Sequence, residues 1–290
     1  MKKFLFYFTL ALFLLLLVFG YQYFKFNDGR LHIVICDVGQ GDGIFIRTPL
    51  GEDIVIDGGP DDKILSCLSS HMPLWDRTIE LVILTHPDAD HSTGIVDVIK
   101  RYQVASFETE KAPGKTQIYN KLLTTLAEKR LSARYLYQGD KFSEKDGMEF
   151  LTLWPTPQDV DDILQKISNK NISLNILSVT QLLKYKNFKA LFTGDEPSEV
   201  GDRIAPLAGK IDLLKVPHHG SRTGMDYNYL AQIHPSLAVI SVGARNKYGH
   251  PTEFSLDLLK AAGAKILRTD QNGEVEIISD GETWSYKVER

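Results

Sequence analysis

Apolar and polar positions divide the chain into one uninterrupted apolar stretch and a longer part in which short apolar runs alternate with turns. The first stretch, MKKFLFYFTLALFLLLLVFGYQYF, has about twenty mostly apolar residues, close to the length that spans a bilayer core. It ends in GYQYFKF, whose aromatic residues are typical of a membrane–water interface and not of a cleavage site. The pattern predicts a membrane anchor over residues 1–26, with a cleaved signal as the alternative.

The charges that flank the apolar stretch predict its orientation. Lys2 and Lys3 precede it, and positive charge favours the cytoplasmic side of a membrane. We therefore expect a single-pass protein of the cell membrane whose remaining chain is extracytoplasmic, or secreted if the first segment is cleaved. No cysteine follows the stretch, which argues against a lipoprotein.

The sequence pattern over residues 31–290 predicts one α/β domain. Short apolar runs bounded by Gly-rich turns predict strands, among them LHIVICDV, GIFIRT, EDIVIDGG, IELVILT, FKALFTGD, IDLLKVPHHG, LAVISVG and KILRTD. Helical periodicity predicts helices in TQIYNKLLTTLAEKR and EFSLDLLKAAGA and from Thr93 or Gly94 onward. The polar stretch TPQDVDDILQKISNKN is typical of a loop with a short helix, and EVEIISDGETWSYKV of a hairpin. Strands open and close this part, which favours two sheets packed face to face with helices outside.

Charge and cysteine content narrow the picture. The formal net charge is −4, so the charge balance does not predict long-range electrostatic attraction to nucleic acid. A local anion site that carries a metal is compatible with this balance. Cys36 and Cys67 both lie in apolar contexts, without metal-finger spacing. We interpret them as two buried thiols and leave a disulfide open.

Candidate chemistry collects where predicted strands end. Asp57, His86, Asp195 and the pair His218–His219 each follow an apolar strand. In α/β sheets such ends lie beside one crevice, where loops aim side chains at a common ligand. Histidine and aspartate are ligands of divalent metals. The sequence therefore predicts a metal site at this edge.

The segment THPDADH carries four potential ligands within six residues. His86 and Asp88 are two positions apart, so both point the same way in an extended segment. Asp90 and His91 follow at the predicted loop-to-helix junction and face a second ion. Asp195, from another strand end, is placed to bridge the two. This pattern is typical of hydrolases that bind one or two divalent ions.

These residues resemble the H-x-[HD]-x-D-H signature of the metallo-β-lactamase superfamily. Further segments occur in the order and spacing of one branch, the C-terminal hydrolase domain of ComEC-like DNA-internalisation competence proteins. They are DVGQGDG, IDGG, NILS, LFTGD, KVPHHGS, NKYGHP and RTDQNGEVEI. The resemblance covers residues 31–288 and implies a four-layer αββα fold after one transmembrane helix.

The resemblance also implies the metal ligands. His86 and Asp88 would serve the first ion, Asp90 and His91 the second, and Asp195 would bridge. Many relatives have histidine where this chain has Asp88, and no histidine lies between positions 91 and 195. The first site is therefore rich in oxygen, which makes Mn²⁺ a candidate beside Zn²⁺. Alternatively, that site is weak or empty.

Adjacent histidines compete for the last ligand position. We assign His219 as the ligand and His218 as a contact to phosphate or nucleophile. His250 of the GHP segment resembles a general acid or a substrate contact. Asp90 would also orient the attacking water.

Three further aspartates belong to the surroundings of the metals. Asp37 and Asp42 in DVGQGDG shape the loop beneath them, and Asp57 orients a ligand histidine.

The resemblance implies a metal-dependent hydrolase of phosphodiester bonds, a nuclease connected with competence and DNA uptake that takes single-stranded DNA. Competence proteins of this kind carry a polytopic channel and an OB-type domain before the hydrolase module. With a single predicted span, this chain has no room for either of them. One alternative is a surface hydrolase of teichoic acid or phosphocholine esters. Another is a degenerate metal-binding module without activity. β-Lactam hydrolysis is disfavoured, because such enzymes have histidine-rich first sites. No protein partner is identifiable from the sequence.

Overall fold

The computed structural model describes residues 1–145, 147–167 and 173–290. Its first element is helix α1 (Lys2–Phe26), in which no residue is buried. The helix is long and apolar enough to cross a membrane. A signal sequence would satisfy the same criterion. The predicted apolar helix is confirmed, whereas its orientation and retention stay predictions.

The remaining helices and strands include those that the sequence pattern predicts and others that it does not, among them α2 and β5. The helices are α2 (Lys63–His71), α3 (Ala89–Arg101), α4 (Gln117–Lys129), α5 (Pro157–Ile167), α6 (Ser198–Ala208), α7 (Tyr227–Ile233), α8 (Glu253–Ala261) and α9 (Thr269–Asn272). The strands are β1 (Leu31–Ile35), β2 (Gly43–Arg47), β3 (Asp53–Gly58), β4 (Thr78–Leu84), β5 (Gln103–Thr109), β6 (Ala133–Tyr135), β7 (Lys141–Ser143), β8 (Met148–Trp154), β9 (Thr180–Tyr185), β10 (Phe188–Phe192), β11 (Leu213–Lys215), β12 (Leu237–Ile240), β13 (Lys265–Arg268), β14 (Val275–Ser279) and β15 (Trp284–Val288).

The strands form two sheets that pack against each other. The first has the order β15-β14-β1-β2-β3-β4-β5-β6 and the second the order β13-β12-β11-β10-β9-β8-β7. Buried side chains from both sheets, such as Ile56, Ile83 and Phe192, make the central core. Separate apolar layers join the first sheet to α2–α4 and the second to α6–α8. The predicted four-layer α/β fold is confirmed.

Helix α3 begins at Ala89, earlier than the predicted start at Thr93 or Gly94. Asp88 is still extended, with φ −69° and ψ 153°, so the helix starts directly behind it. Asp90 therefore lies in the first turn, where the helix dipole favours a negative charge. Gly94 explains how closely α3 approaches β3, because a Cβ there would lie 1.9 Å from the carbonyl oxygen of Gly58. This contact holds the N-terminal half of α3 close to the end of β3.

The interpretation of the cysteines as thiols is wrong, because Cys36 and Cys67 form a disulfide. The bond joins the end of β1 to α2. The two residues are 31 positions apart, and only the packing of α2 on the first sheet brings them together. The polar stretch TPQDVDDILQKISNKN contains α5, and its last residues lie outside the described residues.

The short connection between α1 and β1 is held by a histidine between two carboxylates. His32 Nδ1 lies 2.8 Å from Glu276 and its Nε2 lies 3.0 Å from Asp28. Burial opposes the charged imidazole, but the hydrogen bonds and charges of both carboxylates outweigh it and raise the pKa of His32. A raised folded-state pKa gives stability that is fully present below about pH 6.5 and is lost as pH rises through the raised pKa.

We expect the melting temperature of the wild type to exceed that of His32→Gln at pH 6, and the two to converge at pH 9. Thermal unfolding of the full chain in detergent at both pH values measures this. His234→Gln, which changes an exposed histidine, is the control and should show no such pH-dependent difference. A constant difference between wild type and His32→Gln would show that protonation of His32 does not hold the connection.

Candidate metal centre

Four strand ends meet at one edge of the two sheets. Asp57 lies near the end of β3, and His86 follows β4. Asp195 follows β10, and His219 follows β11. All four side chains are buried or nearly so. The predicted strand ends thus converge, which places histidine and aspartate side chains from distant parts of the chain beside each other.

A compact group of four potential ligands forms the centre of this edge. One ligand atom each of Asp90, His91, Asp195 and His219 lies within 4.8 Å of the others. His91 Nε2 lies 3.3 Å from Asp195 Oδ1, and His219 Nε2 lies 3.5 Å from the same oxygen. His219 Nε2 also lies 3.6 Å from Asp90 Oδ2. Ligands about 2.0–2.2 Å from a zinc ion have separations of this kind, so the four atoms can surround one cation.

The fit to a cation can be judged from buried polar atoms without a partner. Within the described parts of the chain, six such atoms lie at this edge or in the adjoining cavity: Nε2 of His86, His91 and His219, Oδ1 of Asp42 and Asp195, and Nδ1 of His250. A buried polar atom left without a hydrogen bond costs about 1–3 kcal/mol, so such a concentration is unfavourable unless a ligand satisfies it. Imidazole nitrogen and carboxylate oxygen are the donors that divalent metals take. The residues present therefore fit a divalent ion.

Hydrogen bonds on the far side of two histidines direct Nε2 toward the centre. His219 Nδ1 donates to the carbonyl oxygen of Ser241 at 2.9 Å. His91 Nδ1 donates to Asp57 Oδ2 at 2.8 Å. Donation from Nδ1 leaves the lone pair on Nε2, the form that binds a metal. The structure thus places Asp57 where it orients His91.

Asp57 also acts on His86, through Thr85. The Thr85 amide and hydroxyl donate to the two oxygens of Asp57 at 2.8 and 2.7 Å. Because the hydroxyl proton is used in this way, the oxygen accepts from His86 Nδ1, which lies 3.1 Å away. The Nε2 lone pair of His86 is then free as well. Thr85 was missed in the sequence analysis, although it stands directly before the first histidine of the signature.

The His86–Asp88 pair of the signature is more exposed to solvent than the Asp90–His91 pair. His86 is fully buried, whereas the Asp88 side chain is 46% exposed, and their closest ligand atoms are 3.7 Å apart. Burial and the neighbouring carboxylate of Asp90 raise the pKa of Asp88. The ligand atoms of Asp88 are not part of the compact group of four. The structure therefore brings this pair to the edge of the centre and not into it.

The electrostatics of the group favour positive charge. Burial opposes charging of His219, but the carboxylates of Asp195 and Asp42 outweigh it and raise the pKa to about 9. Burial likewise opposes charging of His91, and Asp195 and Asp57 raise its pKa well above the usual value. His86 behaves in the opposite way, because burial and the adjacent His91 lower its pKa to about 3. The carboxylates create a field that a divalent cation would satisfy, and His86 is neutral beside it.

A buried lysine beneath the centre was not found by sequence reasoning. Lys215, the last residue of β11, has no exposed surface and pairs with Asp42. Its Nζ also donates to the carbonyl oxygen of Gly194 at 3.2 Å. Asp42 in turn faces His219 Nδ1 at 3.3 Å. The one available signal was a lysine inside the otherwise apolar run LLKVP.

Adjacent histidines take different places. His218 and His219 both have positive φ, 50° and 54°, a backbone conformation that costs energy for these residue types and is common at functional sites. This conformation turns His219 into the buried group and leaves His218 beside an open cavity. His218 Nε2 lies 3.6 Å from Asp195 Oδ2 and 3.5 Å from Asn175 Nδ2.

The cavity in front of the centre has a volume of about 140 Å³. Its lining consists of Gln40, Asp88, Asp90, Asn175, Asp195, His218, His219, Tyr248 and His250. The ring of His250 lies 5.7 Å from that of His218 and stacks on Tyr248 at 5.8 Å. Asn246 holds the backbone of His250 through hydrogen bonds to its N–H and carbonyl groups. Both predicted catalytic histidines therefore reach the cavity.

Asp37 does not join this group. Its carboxylate pairs with Arg290 at 2.5 Å and is partly exposed. The DVGQGDG segment thus separates its two aspartates: Asp42 turns under the centre, while Asp37 stays on the surface. The turn at Gly39 and Gly41 redirects the chain between the two aspartates. The role of Asp37 in the loop beneath the metals stays a prediction.

Known proteins share both the fold and part of the sequence. No family model matches the chain. It superposes on YhfI from Bacillus subtilis, a metallo-β-lactamase fold protein, with a TM-score of 0.53 and 10% identity over 82% of this chain and 96% of that one. Zn²⁺-bound PqqB from Methylobacterium extorquens gives a TM-score of 0.51 and 12% identity over 82% and 97%. The chain has the metallo-β-lactamase fold.

The chain is also similar in sequence to curated proteins. ComE operon protein 3 of Bacillus subtilis (strain 168) is 27% identical over 271 residues, which cover 86% of this chain and 33% of that protein. The chain spans about a third of the length of the curated relatives it matches. The resemblance to competence proteins predicted from the ordered motifs is confirmed.

Substitution of Asp57 tests whether its hydrogen bonds orient the histidines. Asp57→Asn cannot accept all the hydrogen bonds from Thr85 and His91, so we expect Zn²⁺ affinity to fall by about 10–100-fold. Competition with a chromophoric chelator measures this affinity. Asp61→Asn, on the exposed loop after β3, is the control and should bind Zn²⁺ like the wild type. Equal affinity of Asp57→Asn and wild type would contradict the role of Asp57.

Proposed function

We propose that the chain is a membrane-anchored, metal-dependent phosphodiesterase that cleaves single-stranded DNA. The observation that carries the proposal is the group of unpartnered ligand atoms beside a cavity that His218 and His250 also line. Zn²⁺ or Mn²⁺ bound there supplies a Lewis acid for a phosphoryl oxygen and lowers the pKa of water. Asp90, His91, Asp195 and His219 would hold one ion. His86 and Asp88, with Asp195, would hold a second and weaker one.

The residues of the chain then have separate tasks. Asp90 is about a third exposed at the cavity wall, so its carboxylate can accept a proton from the attacking water. His218 and His250 lie on the wall formed by the second sheet, where their N–H groups can donate to a phosphoryl or leaving oxygen. A donor placed at the leaving oxygen stabilises the negative charge that develops there.

The charge of the cavity favours a diester over a monoester. Among the described residues that line it, none is lysine or arginine, and three are aspartates. A phosphate monoester carries nearly two negative charges at neutral pH and a diester carries one. Because the bound ion must offset both the carboxylates and the substrate, the singly charged diester is the better match.

The rim of the cavity supports single-stranded nucleic acid. Tyr248 is 69% exposed and stands at the cavity mouth, stacked on His250. Arg245 and Lys247 are exposed on the same loop. An exposed aromatic ring beside cations is the combination that binds single strands, through base stacking and contacts to phosphate. The similarity to ComE operon protein 3 supports a link to DNA uptake.

The proposed location is the outer face of the cell membrane, with residues 1–26 as the anchor and residues 31–290 as the hydrolase domain. The disulfide between Cys36 and Cys67 supports this side, because disulfides persist in oxidising compartments. A reporter fused to the C-terminus tests it. We expect an extracytoplasmic reporter to be active, and activity of a cytoplasmic reporter would overturn the orientation.

The activity is tested with the full chain purified in detergent and supplied with Zn²⁺ or Mn²⁺. We expect hydrolysis of both bis-nitrophenyl phosphate and a single-stranded oligonucleotide. Hydrolysis of the small ester alone would favour a surface phosphoester such as teichoic acid. Binding of the metal without hydrolysis of either substrate would favour a non-enzymatic module and overturn the proposal.

Tyr248→Ala separates the DNA substrate from the small ester. Loss of one stacked base costs about 1–3 kcal/mol, so we expect KM for the oligonucleotide to rise about tenfold. The constants for bis-nitrophenyl phosphate should stay close to those of the wild type. Tyr227→Ala removes an equally exposed tyrosine outside the cavity and is the control. Equal loss on both substrates would show that Tyr248 supports the site instead of binding a base.

A further inference from the structure

Helix α1 meets the first sheet at the edge opposite the candidate metal centre. Its last residue, Phe26, is five positions before β1, and Arg47 at the end of β2 donates to its carbonyl oxygen at 2.9 Å. The starts of β1, β3 and β4 lie at this edge because β2 is antiparallel to β1 and β3, while β3 and β4 are parallel. The metal ligands follow the ends of the same strands, so the two features face opposite ways.

The same edge presents an exposed apolar turn beside the helix. In the segment Pro73 to Asp76, the Asp76 amide donates to the Pro73 carbonyl at 3.0 Å, which closes a turn before β4. The two residues at its tip, Leu74 and Trp75, are 62% and 44% exposed. Two large apolar side chains at the tip of a closed turn need a reason, since such groups are normally buried or part of an interaction surface.

A ring contact with α1 shows where the Pro73–Asp76 turn lies along that helix. The ring of Trp75 stacks on that of Phe19 with 4.3 Å between centroids. Phe19 is seven residues before Phe26, which is about 10 Å along the helix axis. If α1 spans a bilayer, Trp75 lies at the depth where tryptophan concentrates in membrane proteins, between the headgroups and the acyl chains.

A third exposed apolar residue lies at the same edge. Leu50, in the turn between β2 and β3, is 57% exposed. Its neighbour Gly51 lies against the end of α1, since a Cβ there would be 3.4 Å from Asn27 Oδ1. Arg47 fixes this arrangement, because it binds both Phe26 and the buried carboxylate of Asp53. The helix, the Leu50 turn and the Pro73–Asp76 turn therefore form one surface.

We propose that Leu50, Leu74 and Trp75 insert into the lipid bilayer beside α1 and dock the domain on the membrane surface. The inference rests on the proposed membrane location of α1. The occupant of this surface is a phospholipid bilayer, because the apolar residues are continuous with a helix that has no buried residue and the length to span one. Interfacial insertion of an aromatic and an aliphatic side chain is the ordinary mode of such docking.

Docking in this position determines which substrates reach the metal centre. The seven residues of β4 separate the turn from His86, about 20 Å of strand. The cavity then opens away from the membrane. Its substrate must come from the aqueous side, as a nucleic acid strand or a soluble polymer does, and not from the headgroups of the membrane in which the chain is anchored.

Fluorescence quenching of the full chain in phosphatidylcholine vesicles tests the docking. Flotation first establishes that the chain is bound to the vesicles. Vesicles whose acyl chains are brominated close to the headgroup should quench wild-type fluorescence, and this loss should be absent from Trp75→Phe. Vesicles brominated near the chain ends should quench less. Adding Tyr248→Trp to Trp75→Phe places a tryptophan at the cavity mouth, and it should not be quenched.

Each outcome bears on the proposal. If the chain floats and Trp75→Phe is quenched as much as the wild type, docking by the turn is wrong, although α1 still anchors the chain. If Tyr248→Trp is quenched, the cavity faces the membrane and the inferred orientation is wrong. If the chain does not float, α1 is no anchor and the docking fails with it. Hydrolysis measured in detergent is independent of all three results.

Discussion

Asp90→Ala is expected to lose at least about a hundredfold of the hydrolysis of bis-nitrophenyl phosphate. Asp90 has two tasks in the proposed site, as a ligand beside His219 Nε2 at 3.6 Å and as the carboxylate that reaches the cavity. Burial opposes its charged form, but the hydrogen bond and charge of the neighbouring histidines outweigh this and lower the pKa of Asp90. The carboxylate is therefore ionised at every pH at which the protein would work. Initial rates with Zn²⁺ and with Mn²⁺ measure the loss.

Asp97→Ala is the control for this prediction. It removes an aspartate from the same helix, seven positions further along and away from the cavity. Bound metal, measured by elemental analysis, should fall in Asp90→Ala and not in Asp97→Ala. Activity of Asp90→Ala close to that of the wild type would contradict its place in the site, and so would equal losses in both variants.

Lys215→Met is expected to destabilise the domain by about 3–5 kcal/mol, because it leaves the buried carboxylate of Asp42 without its cation. Both side chains are almost without exposure, so solvent cannot replace the lost interaction. Burial opposes ionisation of Asp42, and Lys215 and His219 hold its pKa below the usual value. For a domain of this size the melting temperature should fall by roughly 10 °C. Thermal unfolding in detergent measures the change.

The double variant Lys215→Met with Asp42→Asn separates loss of the pair from loss of packing. It has no unpaired buried charge, so it should recover part of the stability. Lys189→Met, on the neighbouring strand β10 and partly exposed, should change the stability by less than about 0.5 kcal/mol. A Lys215→Met variant as stable as the wild type would show that the ion pair does not support the centre.

Much of the fold and the grouping of the candidate ligands at the strand ends could be predicted from sequence, because both depend on short-range patterns. The apolar runs EDIVIDGG and IELVILT are strands whose ends carry Asp57 and His86, and the THPDADH segment holds four candidate ligands in consecutive order. The predictions were wrong where the pattern of neighbouring residues carries no information about the structure. The start of α3 was placed four or five residues late, since the helix lies where Gly94 packs against the Gly58 carbonyl of β3, a contact that helical periodicity does not reveal.

By itself, the sequence determined the apolar helix, the α/β order of elements and the residue types at the strand ends, since periodicity and motif spacing are properties of neighbouring residues. Only the tertiary structure decided that Cys36 bonds to Cys67, that Lys215 neutralises Asp42, and that Asp37 lies outside the centre. It also decided which nitrogen of each histidine faces the ligand cluster, through partners such as Ser241 for His219. These contacts join residues far apart in the chain, and the packing of two sheets and their helices is what brings them within hydrogen-bonding distance.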